Sequence, residues 1–217
     1  MNKKTIVIVG AGKGCGNHVA RKFGKEGFRV ILMSRNLEHL KQYEEEFKAQ
    51  NIEVDTQTVD ASNLNSITQA FNSVKAKWGV PDVLFYNVGV TTADADLTEP
   101  KDAALLLQRY QVDVAGAYHA IQQVVGPEFS QKKGAILVTG GGLGLYPMEE
   151  YLPLSMDKAA LRAMCIALHN KLKEQNVYVG ILTVTDSIKQ GGKCAPTLLA
   201  EDFWKLYTLR ETCELVR

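Results

Sequence analysis

The sequence predicts an α/β domain in which a parallel sheet of about seven strands is doubly wound, with helices on both faces. Three observations lead there. Short β-branched runs alternate with longer amphipathic stretches, the order of βαβ units. Several of the short runs, such as Thr5–Val9 and Ala135–Thr139, are continuously apolar, as strands covered on both sides must be. Right-handed crossovers between parallel strands then wind the chain to both faces.

In order, strands are expected at Thr5–Val9, Phe28–Met33, Ile52–Val59, Asp82–Tyr86, Ala135–Thr139, Val177–Thr183 and Cys213–Val216. Helices are expected over Gly14–Glu26, Leu37–Gln50, Leu64–Trp78, Lys101–Pro127 (bent), Ser155–Gln175 and Leu198–Tyr207. Neither a repeat nor a low-complexity linker interrupts residues 1–217, so the whole chain reads as one domain. Gly140–Gly144 reads as a mobile loop at the carboxyl edge of the sheet, where ligands of open α/β sheets bind. Lys189–Lys193 follows the sixth strand on the same edge and reads equally as a lid or a plain connection.

Composition narrows the function. Twenty-five Lys and Arg against 24 Asp and Glu leave a net charge of +1, which offers no general attraction for nucleic acid or an anionic membrane. The apolar run at the amino end stops at Gly10, too short for a signal peptide, and nothing approaches the length of a membrane helix. Cys15, Cys165, Cys194 and Cys213 are too widely spaced for a zinc or Cys-x-x-Cys site and read as reduced thiols of a cytoplasmic protein. His119 and His169 lack partners at ligand spacing, so no metal is expected.

The chemistry begins after the first strand, in Gly10-Ala11-Gly12-Lys13-Gly14-Cys15-Gly16. A tight turn, close backbone approach and helix amides aimed at an anion are what a pyrophosphate needs. Gly-x-Gly-x-x-Gly fails here, because Cys15 stands in the third place, and a Walker loop fails because Gly14 follows Lys13. Gly-x-x-x-Gly-x-Gly on Gly10, Gly14 and Gly16 fits. Cys15, alternating with glycines, is expected to point inward as an unreactive thiol. After the second strand comes Ser34-Arg35, with no acid before Glu38. A carboxylate there would bind the ribose of NAD; Arg35, with Lys13, suits a 2′-phosphate instead. NADP(H) is therefore expected in preference to NAD(H), in a Rossmann-type fold.

At these residues the sequence resembles the short-chain dehydrogenase/reductase family. Gly10, Gly14 and Gly16 match its cofactor loop, with Val9 where threonine is usual. Asp60, followed by Ala61, resembles its adenine-contacting aspartate, and Tyr86-Asn87-Val88-Gly89 resembles its Asn-Asn-Ala-Gly motif. Val112–Gly116, the strand at Ala135–Thr139 and Lys158–Leu161 fall in the family's order, so the resemblance spans about Thr5 to Ala167. It implies a dinucleotide held by Gly10, Gly12, Lys13, Gly14, Cys15, Gly16, Ser34, Arg35, Asp60, Ala61, Asn87, Val88, Gly89 and Lys158. It also implies hydride transfer to or from a small carbonyl or alcohol, and a homodimer or homotetramer paired through the helices at Lys101–Pro127 and Ser155–Gln175.

Of the family's four catalytic positions, Lys158 matches. The tyrosine position is Leu154, the serine position Gly141, the asparagine position Asp113, and the expected Pro-Gly turn is Val184-Thr185. Asp113 and Tyr151 are the candidates to act with Lys158; Tyr151 lies three residues before Leu154, although Pro153 predicts an extended Tyr151–Leu152. Phe203, Trp204 and Tyr207 read either as a cover on the substrate side or as core. Two functions follow: an NADP(H)-dependent oxidoreductase with altered acid/base residues, or a catalytically inactive dinucleotide-binding sensor or partner subunit.

Overall fold

The computed structural model describes residues 3–91 and 103–217. Its sheet has seven strands, all paired in parallel, in the order β3-β2-β1-β4-β5-β6-β7. They are β1 (Thr5–Val9), β2 (Arg29–Ser34), β3 (Val54–Thr58), β4 (Val83–Tyr86), β5 (Ala135–Gly141), β6 (Tyr178–Val184) and β7 (Glu214–Val216). Alternate residues of one strand feed two cores. Ile6 and Ile8 pack with Phe23, Phe47 and Phe203 on one face, while Val7 and Val9 pack with Phe71, Ile121 and Leu161 on the other. That two-sided burial is why the strands are apolar without alternation.

The first face is covered by α1 (Cys15–Lys25), α2 (Leu37–Lys48) and α8 (Pro196–Leu209). The second is covered by α3 (Leu64–Trp78), α5 (Gly116–Val124) and α7 (Leu152–Lys173). Local chemistry sets several ends. Asn36 caps α2 by accepting from the His39 amide (3.0 Å), and Asn63 caps α3 by accepting from the Ser66 amide (3.1 Å). Gly79 closes α3 with φ 78°, where a side chain would be strained.

The expected elements are present, with boundary shifts of one to three residues. Phe28, Ile52, Val59, Asp82, Val177 and Cys213 lie just outside their strands, whereas Ser34 and Gly140–Gly141 lie inside theirs. The bent helix expected over 101–127 is divided. Residues 101 and 102 fall outside the described residues; then come α4 (Ala103–Tyr110), a π-helical turn (Gln111–Ala115) and α5, and Pro127 opens a separate α6 (Pro127–Gln131). Within the π turn the Gly116 amide reaches back to Gln111 O, and the Tyr86 hydroxyl donates to Val112 O at 2.6 Å. A side chain at Gly116 would sit 2.6 Å from Ala61 O, so this stretch lies tightly over the end of β4.

Two further expectations are corrected. Tyr151 ends a 3₁₀ turn (Glu149–Tyr151), and Leu152 is already helical with φ −55° and ψ −49°. Pro153 sits in the first turn of α7, where a missing N–H leaves no bond unmade, so it starts the helix rather than extending the chain. Gly142–Gly144 is a 3₁₀ turn seated on α7, where a side chain at Gly144 would meet the Lys158 carbonyl at 2.8 Å.

Candidate functional site

The carboxyl ends of β1, β4 and β5 converge on one cleft. Gly10 leaves β1 with φ 94°, and its amide and that of Ala11 both donate to Met33 O at 3.0 and 2.9 Å. The glycines here fall into two kinds. A side chain at Gly10 would lie 2.6 Å from Asn87 O, and one at Gly16 would lie 2.5 Å from Gly10 O, so these two are demanded by the protein's own packing. Gly12 and Gly14 meet nothing within 4 Å. They border open space at the start of α1, whose first turn no side chain caps. Backbone amides and the positive end of a helix are thus presented where an anion fits.

Asn87 at the end of β4 locks this loop to the next strand. Its Nδ2 donates to Gly10 O (3.1 Å), and its Oδ1 accepts from the Thr139 hydroxyl (2.8 Å). Cys15 points inward as expected; burial pushes its thiol up to about 12, with the Thr139 side chain opposing. It is a poor nucleophile although it borders the cleft.

One end of the cleft is a cavity of about 260 Å³ walled by Ser34, Arg35, Asp60, Ala61, Val88 and Gly89. Asp60 accepts from the Ser62 amide (3.0 Å) and hydroxyl (2.7 Å). These bonds hold its carboxyl below the ordinary range, and the nearby Arg35 charge acts in the same direction. Beyond Asn87 and Gly89 the cleft widens into a cavity of about 830 Å³, lined by Thr139, Gly141, Tyr146, Tyr151, Leu154, Lys158 and Asp186. Lys13 is exposed and borders neither cavity; Gly12 and Gly16 are not wall residues either.

Lys158 enters this wider end from α7, one of its few buried charges. Its Nζ lies 3.5 Å from Asp113 Oδ1, and Asp113 Oδ2 accepts from the Val90 amide at 3.0 Å. Asp113 is fully buried within the π turn and does not line the cleft, so it stands behind Lys158 rather than in the open pocket. A side chain at Gly89 would stand 2.9 Å from Asp113 Oδ1 and 3.0 Å from Lys158 Nζ. The stem of Lys158 also fills the space over Gly141, where a Cβ would be 3.2 Å from Cγ. Leu154 and Tyr151 both line the wider cavity.

Phe203, Trp204 and Tyr207 are not part of this site. Trp204 and Tyr207 pack on Phe23 and Phe28, with the Phe23 and Trp204 rings 5.0 Å apart, and Tyr207 accepts from Lys4 before β1; Phe203 packs on Phe85 of β4, ring centroids 4.6 Å apart. All three therefore belong to the core, Trp204 and Tyr207 near the amino end of β1 and Phe203 against β4. Sequence reasoning passed over Asp157 and Arg109, both buried beside the Lys158–Asp113 pair. The signal was a charged pair, Asp157-Lys158, in an otherwise apolar helical stretch. Among the described residues no group of His, Cys, Asp and Glu could hold a metal, and no helix is long and apolar enough to cross a membrane.

A seven-stranded parallel sheet with a glycine turn, an uncapped helix start and a cleft across β1 and β4 defines a Rossmann-type protein. More specifically, residues 4–186 match the short chain dehydrogenase family, and the chain belongs to it. The dehydrogenase/reductase SDR family protein 7-like of Anopheles gambiae is 24% identical over 188 residues, 84% of this chain and 59% of that protein. This chain thus spans about three-fifths of that relative's length. The 3-oxoacyl-(acyl-carrier-protein) reductase FabG of Thermotoga maritima is 27% identical over 180 residues, 81% of this chain and 71% of the relative. Among solved structures, a metagenomic short-chain oxidoreductase in complex with NADP superposes with a TM-score of 0.85 at 24% identity, covering 98% of this chain and 95% of that one. A short-chain dehydrogenase/reductase from Burkholderia phymatum in complex with NAD gives 0.87 at 19% identity, covering 99% and 89%.

Proposed function

We propose that the chain is an oxidoreductase that binds NADP(H) in this cleft and transfers hydride to or from a small carbonyl or alcohol compound. The observation that carries the reading is the pair Gly12 and Gly14, which border open space at the uncapped start of α1 while Gly10 and Gly16 are filled by protein. When bound, the dinucleotide supplies or accepts the hydride. The chain's own residues hold it: the α1 amides take the pyrophosphate, Asp60 and Ala61 the adenine end, and Lys158 the ribose next to the nicotinamide.

Arg35 in the wall of the narrow cavity, with no acid at the end of β2, supports NADP(H) over NAD(H). Relatives complexed with each cofactor exist, so the choice rests on Arg35. Lys158 lines the same cavity as Leu154 and is the first candidate proton donor, with Asp113 Oδ1 3.5 Å from its ammonium group. Tyr151, on the same wall, is the second candidate. A proton donor in place contributes about 10²–10⁴ in rate. Leu154 and Gly141 favour one alternative, a dinucleotide-binding protein that does not turn over. Exposed apolar residues on α4 and α7, among them Leu107, Tyr110 and Met156, support pairing with a second copy.

Titration with NADPH and NADH, followed by nicotinamide fluorescence, tests the binding half. NADPH binding at least tenfold tighter than NADH is expected, and binding of neither by folded protein overturns the reading. A dicarbonyl and aldehyde screen with bound NADPH then separates enzyme from non-turning binder.

A further inference from the structure

Beside Lys158, among the described residues, lie three further buried charged groups, Asp113, Asp157 and Arg109, none of which lines the cleft. Asp157, the residue before Lys158 on α7, is 3% exposed, and among the described residues its Oδ2 has no hydrogen-bond partner. Asp113 of the π turn faces it as a second carboxylate; Lys158 on its own helix and Arg109, 7% exposed on α4, supply the positive charges. A buried carboxylate oxygen left without a donor is costly as an anion and much less so once protonated. Burial, reinforced by the charge on Asp113, pushes the Asp157 carboxyl up to about 6, against the opposing pull of Lys158 and Arg109.

We infer that Asp157 is a positioning residue of the cleft, a buried carboxyl that takes up a proton as the anionic cofactor arrives and so sets the charge balance around Lys158. The inference rests on the cleft being a dinucleotide site. Protonation of Asp157 adds one unit of positive charge behind the wall of the wider cavity. A pyrophosphate at the start of α1, where Gly14 lines the same cavity as Lys158, brings negative charge that favours the protonated form. By reciprocity the protonated form then favours the cofactor. Neither Leu154 nor Gly141 can adjust charge here, so the Lys158 environment is governed from behind.

The test compares the full-length wild type with Asp157→Asn and Asp157→Ser, the second keeping a hydroxyl in a smaller volume. NADPH affinity is measured from pH 5.5 to 7.5, and ¹³Cγ-aspartate NMR is recorded on the cofactor-free proteins. The 2′-phosphate titrates in the same range (pKa about 6) but does so equally in all three proteins, so their difference reads Asp157. Expected are an aspartate resonance titrating near pH 6 that both variants lack, and a wild-type affinity that falls about three- to tenfold relative to the variants as pH rises. Binding with the same pH dependence in all three proteins overturns the inference alone. Binding by none of them, at any pH, overturns the cofactor reading with it. Should Asp157→Asn fail to fold, Asp157→Ser carries both readouts.

Discussion

The side chain of Lys158 lies against Gly141, so close that a Cβ on Gly141 would stand 3.2 Å from Lys158 Cγ and 3.3 Å from its Cδ. The absence of a side chain at Gly141, the position where the family resemblance implies a serine, and the placement of the lysine are therefore linked. Gly141 ends β5, Lys158 leans into the room it provides, and Asp113 receives the ammonium group from behind.

Restoring both missing family residues, Leu154→Tyr with Gly141→Ser, is expected to raise NADPH-dependent reduction of a generic dicarbonyl by about 10²-fold or more. The tyrosine enters the wider cavity that Leu154 now lines. The serine needs the flexible Lys158 stem to give by a few tenths of an ångström. NADPH oxidation followed at 340 nm checks it. No gain in a folded double variant that still binds NADPH would mean that more than these two residues has been lost.

The two kinds of glycine in the first loop separate fold from binding. Gly10→Ala strains a residue at φ 94° and drives a methyl to 2.6 Å from Asn87 O, so a loss of about 2 kcal/mol or more in stability is expected. Gly12→Ala meets no protein atom within 4 Å and should leave stability nearly unchanged while weakening NADPH binding about tenfold or more. Thermal unfolding and cofactor titration of both variants decide the matter; full NADPH affinity in Gly12→Ala would place the pyrophosphate elsewhere.

That contrast shows how much was legible beforehand. The glycine spacing, the alternation of strands and helices and Lys158 are local patterns, and they point to the fold and to part of the cleft wall. What the sequence concealed depends on contacts between distant segments. Ala103–Val124 reads as one amphipathic stretch, and nothing in it announces that Tyr86, 26 residues before Val112, takes a carbonyl within the π turn. Pro153 is ambiguous in sequence because a proline before a helix and one inside its first turn look alike. The side on which Trp204 and Tyr207 lie is set by the packing of α8 on Phe23 and Phe28, which the local sequence does not encode.

Arg35→Asp is expected to weaken NADPH binding about 10- to 100-fold, the equivalent of one or two charge-assisted hydrogen bonds lost. NADH affinity should change little, because that cofactor lacks the 2′-phosphate. Arg35 walls the narrow cavity and acts on Asp60, so the variant also removes a neighbouring positive charge from that carboxylate. Equal losses for both cofactors would sink the preference for NADP(H).

An ion pair between Arg162 and Glu214 ties α7, the helix that carries Lys158, to β7. Arg162 grips Glu214 of β7 through Nε at 2.8 Å and Nη2 at 2.6 Å, and the Thr183 hydroxyl of β6 donates to the same carboxylate at 2.6 Å. The bond to Arg162 is the largest influence holding the Glu214 carboxyl below its ordinary value, and it outweighs the opposing effect of burial. A carboxylate lowered in the folded state adds stability above its unfolded pKa (about 4.3), and that stability fades as pH falls through the folded value. Arg162→Leu should therefore cost about 1–2 kcal/mol at pH 7, and the difference from wild type should shrink below about pH 4 as Glu214 protonates in both proteins. Urea unfolding at pH 7 and at pH 3.5 measures it, and a gap that widened in acid would mean that Arg162 stabilises α7 by some route other than Glu214.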